Sequence, residues 1–190
     1  MSEMELQVIE DFVGSVLLFS SALRRVVEES ALRETVGGEL TESQLKVLRL
    51  LNLSRSHTLG DVAAFLGVSN AAASKAVDKL VSRMLLRRTE GEADRRSIRL
   101  TLTEPARRML AAYEAAVRSK LNEIFAGFPP EQLRDLAGKL NRYTDRIVSG
   151  GSEKSAVCLQ CGMYFPARCV RRDAGGTCEY LDRKERRAGE

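Results

Sequence analysis

Apolar residues recur at helical spacing along most of the chain, and the breaks in that spacing mark the elements. From Met4 to Glu34, Leu6, Ile9, Val13, Val16, Leu23 and Val27 advance in steps of three and four, with Ser20 in register. A second apolar line uses Val8, Phe12, Phe19 and Val26. One stripe packs a helix on its own domain, so two stripes predict that the second is covered by something outside it. Gly37-Gly38 closes this helix, and Thr41-Glu42-Ser43-Gln44 reads as a capping box leading into Leu45–Leu53. There Val47, Leu48, Leu50 and Leu51 face the core. Thr103 caps a later helix, Glu104–Phe125, with Met109, Leu110, Tyr113, Val117, Leu121, Ile124 and Phe125 as its stripe. Phe128-Pro129-Pro130 breaks it, and Glu131–Val148 forms the last long helix, carrying Leu133, Leu136, Leu140, Tyr143 and Ile147.

Between these long helices lies a different pattern. Thr58–Leu66 is a short helix, Gly67-Val68-Ser69 a tight turn, and Asn70–Leu86 a longer helix. Gly67 stands where a helix must end with a positive φ, Val68 is apolar and is expected to anchor the turn, and Ser69 is a good N-cap. Ala76, Val77, Leu80, Val81, Met84 and Leu85 are the expected buried stripe. Lys75, Lys79 and Arg83 line another face. Then periodicity switches to that of a strand: Leu86–Thr89 goes out, Glu90–Asp94 turns, and Arg95–Thr101 returns with Ile98 and Leu100 inward. Helix, turn, helix and basic ribbon together predict a winged helix-turn-helix, a DNA-binding device. The small or polar residues Ser69, Asn70, Ala72 and Ser74, with Lys75, are the candidates for the major groove. Lys79 is placed nearer the phosphates. Arg95 and Arg96 at the ribbon tip suit a minor groove, whose negative potential favours arginine.

At these residues the chain resembles the MarR (multiple antibiotic resistance regulator) family. Asp94-Arg95-Arg96, followed by Leu102-Thr103 opening the next helix, is similar to that family's wing in residues and spacing. The resemblance runs from the N-terminal helix to about Ser149. Pro105-Ala106 departs from it, since the family often has a glycine after its Leu-Thr pair. The resemblance implies terminal helices that interlock two subunits, a palindromic operator, and in many members a small-molecule effector between the dimer helices and the DNA-binding lobe.

Charge supports a nucleic-acid partner only because it is local. The whole chain carries +4. Lys75 to Arg108 alone holds ten Lys/Arg against five Asp/Glu, an excess of five, so the remainder is close to neutral. No signal-peptide pattern opens the chain, and no apolar run is expected to span a membrane, which predicts a cytoplasmic protein. His57, the single histidine, falls in a polar loop and reads as a surface or capping residue.

The four cysteines, Cys158, Cys161, Cys169 and Cys178, all follow the linker Ser149-Gly150-Gly151-Ser152. In a cytoplasmic protein such clustering favours a metal over disulfides. Cys158-Leu-Gln-Cys161-Gly162 can grip one ion from a tight turn, and Cys169 and Cys178 complete a four-sulfur site. Zinc is the first expectation because the knuckle is commoner in zinc modules. An iron–sulfur cluster uses the same ligands. A tail of this length has too little apolar content to fold without such a staple.

The expected fold is mainly α with a small β-wing: a body over 1–149 with a DNA-binding lobe at about 41–103, and a cysteine-rich module over 150–190. The expected function is a homodimeric transcription regulator, a repressor by first expectation, whose cysteine site senses redox or metal status. A winged-helix adaptor with structural zinc is the second reading, and a thiol oxidoreductase at Cys158 and Cys161 the third. No Ser/His/Asp, paired-carboxylate or phosphate-loop constellation points to an enzyme.

Overall fold

The structure is a computed structural model that describes residues 2–36, 40–53, 57–90 and 98–149, together with 157 and 172. The ribbon tip with Arg95 and Arg96, and all four cysteines, lie outside the described residues. The described chain is mainly helical with one two-stranded antiparallel sheet. Its elements are α1 (Glu3–Ala22), a π-helical turn (Leu23–Glu28), α2 (Glu29–Val36), α3 (Glu42–Leu53), α4 (Leu59–Leu66), α5 (Asn70–Ser82), β1 (Leu86–Glu90), β2 (Ile98–Leu102), α6 (Glu104–Phe125) and α7 (Pro130–Ser149). They form two compact units, Met1–Leu40 with Ala111–Ala126, and Thr41–Leu110 with Gly127–Glu190.

In the first unit the predicted N-terminal helix runs without a break from Glu3 to Val36. It widens at Leu23–Glu28, where the Glu29 amide donates to the Arg24 carbonyl five residues back. Ser2 caps it: its hydroxyl accepts from the Glu5 amide at 3.3 Å, and the Glu5 carboxylate accepts from the Ser2 amide at 2.7 Å. Val27, Ala31, Leu32, Val36 and Tyr113 are buried, whereas α1 buries no residue at all. Within α1 both apolar lines face outward, from Phe12 at 42% exposure to Val8 at 64%, with Val16 alone half-buried. The expectation that no apolar run could span a membrane is corrected here, because this helix is long and apolar enough by length and composition. Reading the run as two stripes hid its length, since Glu10 and Asp11 interrupt it. Lys120 Nζ donates to Glu34 Oε1 at 2.8 Å and ties α6 to α2. That bond first, and the Ser30 hydroxyl second, hold the Glu34 carboxyl below the usual carboxylate range.

The second unit has its core where α3 packs on α4, α5 and β2. Val47, Leu48, Leu50 and Leu51 are buried there as the spacing predicted, with Val62, Phe65, Val77, Leu80 and Leu100. Two capping boxes set the helix starts. Thr41 and Gln44 exchange hydrogen bonds of 3.0 and 3.2 Å, and Thr58 and Asp61 exchange bonds of 2.9 and 3.2 Å. The strands pair Leu86 with Leu102, Arg88 with Leu100 and Glu90 with Ile98, a register that puts Leu86, Arg88, Leu100 and Leu102 on one face of the ribbon. His57 extends this sheet by one isolated bridge: its carbonyl accepts from the Leu100 amide at 3.1 Å. The residue is 4% exposed, so the surface reading of His57 is corrected. A polar loop in sequence becomes core when the chain beside it pairs with a strand.

Candidate nucleic-acid interface

The turn between α4 and α5 is built as its residues predict. Gly67 adopts φ 65, ψ 35, the left-handed conformation, and its amide reaches back to the carbonyls of Ala63 and Ala64. The Ser69 hydroxyl accepts from the Ala72 amide at 3.3 Å, capping α5. Val68 is 41% exposed and does not anchor the turn. That work falls to Ala63 and Phe65 on α4 and Ala73 on α5, which are buried.

Helix α5 turns Ala73, Val77 and Leu80 inward. Ser69, Asn70, Ala72, Lys75 and Lys79 are exposed, and Ser74 is half-buried on the flank. The first turn therefore offers small and polar side chains, and the next turns offer two ammonium groups, on one solvent-facing side. Ser74 is already engaged: its hydroxyl lies 3.4 Å from Asp78 Oδ2. On the same flank Arg88 Nη2, from β1, donates to Asp78 Oδ1 at 2.6 Å. Helix α5 and the ribbon are thereby joined side chain to side chain. Asp78 and Arg88 were not singled out from sequence. The available signal was a lone carboxylate in an otherwise basic helix.

The predicted helix Asn70–Leu86 is shorter in the structure, ending at Ser82. Met84 takes φ 56, its amide donates to the Val81 carbonyl and the Leu85 amide to the Leu80 carbonyl, both at 2.9 Å. These two bonds are a Schellman closure with methionine where glycine is usual. Met84 is 76% exposed, which corrects its place in the buried stripe: once the helix stops, helical spacing no longer decides which way a side chain points. Thr103 secures this corner from the far end of the wing. Its hydroxyl donates toward the carbonyls of Met84 and Leu85 at 2.8 and 3.1 Å, and accepts from the Ala106 amide at 3.4 Å as the cap of α6.

Among the described residues no group of three or more His, Cys, Asp or Glu side chains is placed to hold a metal ion. The predicted ligands Cys158, Cys161, Cys169 and Cys178 are not among those residues.

Comparison with known proteins accords with this geometry. Residues 40–98 match the model of the MarR family. The lobe is thus similar to the winged helix-turn-helix of the MarR family. Over 94 residues the chain is 29% identical to an uncharacterized HTH-type transcriptional regulator, YfiV, of Bacillus subtilis (strain 168), a match that covers 50% of this chain and 59% of that protein. Among solved structures it is similar to a MarR family protein from Bacillus stearothermophilus (TM-score 0.63, 16% identity, 77% of this chain and 98% of that one). It is also similar to RV1404 from Mycobacterium tuberculosis (TM-score 0.62, 24% identity, 72% and 92%). A third likeness is to CouR from Rhodococcus jostii RHA1 bound to p-coumaroyl-CoA (TM-score 0.54, 26% identity, 69% and 90%).

Proposed function

We propose that this protein is a homodimeric, sequence-specific DNA-binding transcription regulator that reads a palindromic operator from the cytoplasm. The observation that carries the reading is the exposed side of α5, where Ser69, Asn70 and Ala72 precede Lys75 and Lys79 beside a basic two-stranded ribbon. Small side chains let a helix approach base edges, and ammonium groups one and two turns on meet phosphates. Ser74 reads bases less directly than its sequence position suggests, because Asp78 engages it. Arg95 and Arg96 extend the contact into the minor groove. Two such helices related by a dyad sit about 34 Å apart, one turn of DNA.

The apolar face of α1, which buries no residue, supports the dimer. A second copy covers it better than a bilayer does, because Glu10 and Asp11 fall inside the apolar run and carboxylates in the hydrocarbon region are costly. A small organic effector belongs to the same reading, supported by CouR's bound p-coumaroyl-CoA. The spacing of Cys158, Cys161, Cys169 and Cys178 supports a four-thiolate metal site, zinc first and iron–sulfur second, through which metal or redox state adjusts repression.

The test is selection of duplexes from random DNA by the full chain, followed by a salt titration on the selected duplex. We expect Lys75→Ala and Lys79→Ala each to lower the salt slope by about one. Failure to bind any duplex at low salt would overturn the reading. Metal content and the absorption spectrum of protein purified without oxygen test the cysteine site: a metal-free, colourless protein overturns it.

A further inference from the structure

Asp78 is the one acidic residue of α5. A carboxylate on a helix that must approach phosphates opposes binding by simple Coulomb repulsion, so its presence asks for a compensating role. Its surroundings supply one. Arg88 occupies a ribbon position on the same face as Leu86 and Leu100, both buried, so its stem runs along the apolar side of the sheet. The guanidinium emerges against Asp78, with Nη2 2.6 Å from Oδ1. The other carboxylate oxygen is held by Ser74 at 3.4 Å. The pair is partly exposed, with side-chain exposures of 38% for Arg88 and 54% for Asp78, and pairs of that kind add little to stability. Its value is therefore geometric. A guanidinium fixed through one N–H keeps its remaining donors in a rigid fork that matches a phosphate.

Resting on the DNA-binding reading above, we infer that Asp78 is a positioning residue that holds Arg88 as a phosphate clamp at the junction of recognition helix and wing. The site of action is the DNA backbone rather than a base. Base edges are read from the first turns of a recognition helix, and Asp78 and Arg88 lie beyond them, beside its second half. Ser74 acts through this same chain by steadying Asp78.

The two accounts of Asp78 predict opposite signs. A bystander carboxylate that is removed leaves DNA binding tighter, since one negative charge has gone. A positioning carboxylate that is removed leaves binding weaker, since Arg88 loses its orientation. The experiment measures affinity on a duplex selected by the wild-type chain and on a random duplex, across a salt series, for Asp78→Ala, Asp78→Asn, Arg88→Ala and the double variant Asp78→Ala/Arg88→Ala. Helix content by circular dichroism checks the fold. We expect Asp78→Ala to weaken both complexes several-fold, and Asp78→Asn to recover part of the loss because the amide oxygen still accepts a hydrogen bond. Arg88→Ala should lower the salt slope by about one. In the Arg88→Ala background, removing Asp78 should cost nothing further. Binding by Asp78→Ala as tight as wild type or tighter overturns the inference, as does an unchanged penalty in the Arg88→Ala background, which would mark a plain structural role. A wild-type chain that binds neither duplex overturns the DNA-binding reading itself, a separate outcome.

Discussion

Replacing Thr103 with valine tests how one hydroxyl holds the lobe together. The substitution keeps the side chain's shape and removes its oxygen. That oxygen caps α6 through the Ala106 amide at 3.4 Å and donates toward the Met84 and Leu85 carbonyls at 2.8 and 3.1 Å. Loss of an N-cap costs about 1 kcal/mol, and loss of a donated neutral hydrogen bond about 1 kcal/mol more. The Leu85 carbonyl keeps the Thr103 amide at 3.1 Å, and Met84 lies in solvent, so neither carbonyl is left buried and bare. The expected loss is therefore about 2 kcal/mol, a fall in Tm of roughly 4–8 °C at this chain length. Thr103→Ser keeps the hydroxyl and serves as the control. Both are compared by urea and thermal unfolding at one fixed protein concentration, because the proposed dimerisation would make apparent stability concentration-dependent. If Thr103→Val unfolds within about 0.5 kcal/mol of Thr103→Ser, the hydroxyl is not the link between the α5 exit and the α6 start.

Met84→Gly should stabilise the chain by about 0.5–1 kcal/mol in the same assay, since left-handed backbone costs a non-glycine residue about 1–2 kcal/mol and glycine's unfolded-state entropy returns only part of it; Met84→Val should go the other way, and the opposite ranking would refute the strain. Leu18→Glu combined with Val8→Glu places charges on the exposed face of α1 without touching the core, so sedimentation should show a helical monomer for the variant and a dimer for the wild type; an unchanged dimer removes α1 from the interface. Lys120→Met should return the Glu34 carboxyl toward its ordinary titration, read by carboxyl NMR. Because the folded pKa is depressed, this ion pair supports the fold above the ordinary carboxylate range and loses that support as pH falls through the depressed value. A Glu34 titration indifferent to Lys120 would refute the assignment.

The features legible in the sequence are those settled within a few residues. Thr41 with Gln44 and Ser69 before α5 satisfy backbone groups three residues away, and Gly67 supplies the left-handed turn by itself, so each was readable without knowing the fold. Periodicity likewise placed α3, α6 and the ribbon, and the buried row Val47, Leu48, Leu50 and Leu51, because one repeating face suffices to bury a helix. The exposed candidates of α5 were legible for the same reason. Tertiary structure decided the rest. His57 is buried only because Leu100, more than forty residues on, bonds its carbonyl. Met84 leaves the core only because a closure bonded to Val81 and Leu80, and steadied from Thr103, ends the helix early. Arg88 finds Asp78 only when the strand register turns it to the face shared with Leu100. Local hydrogen bonds and helical spacing act along the chain and can be read from it; register, helix length and burial depend on which distant segment arrives alongside, and a sequence pattern does not carry that information by itself.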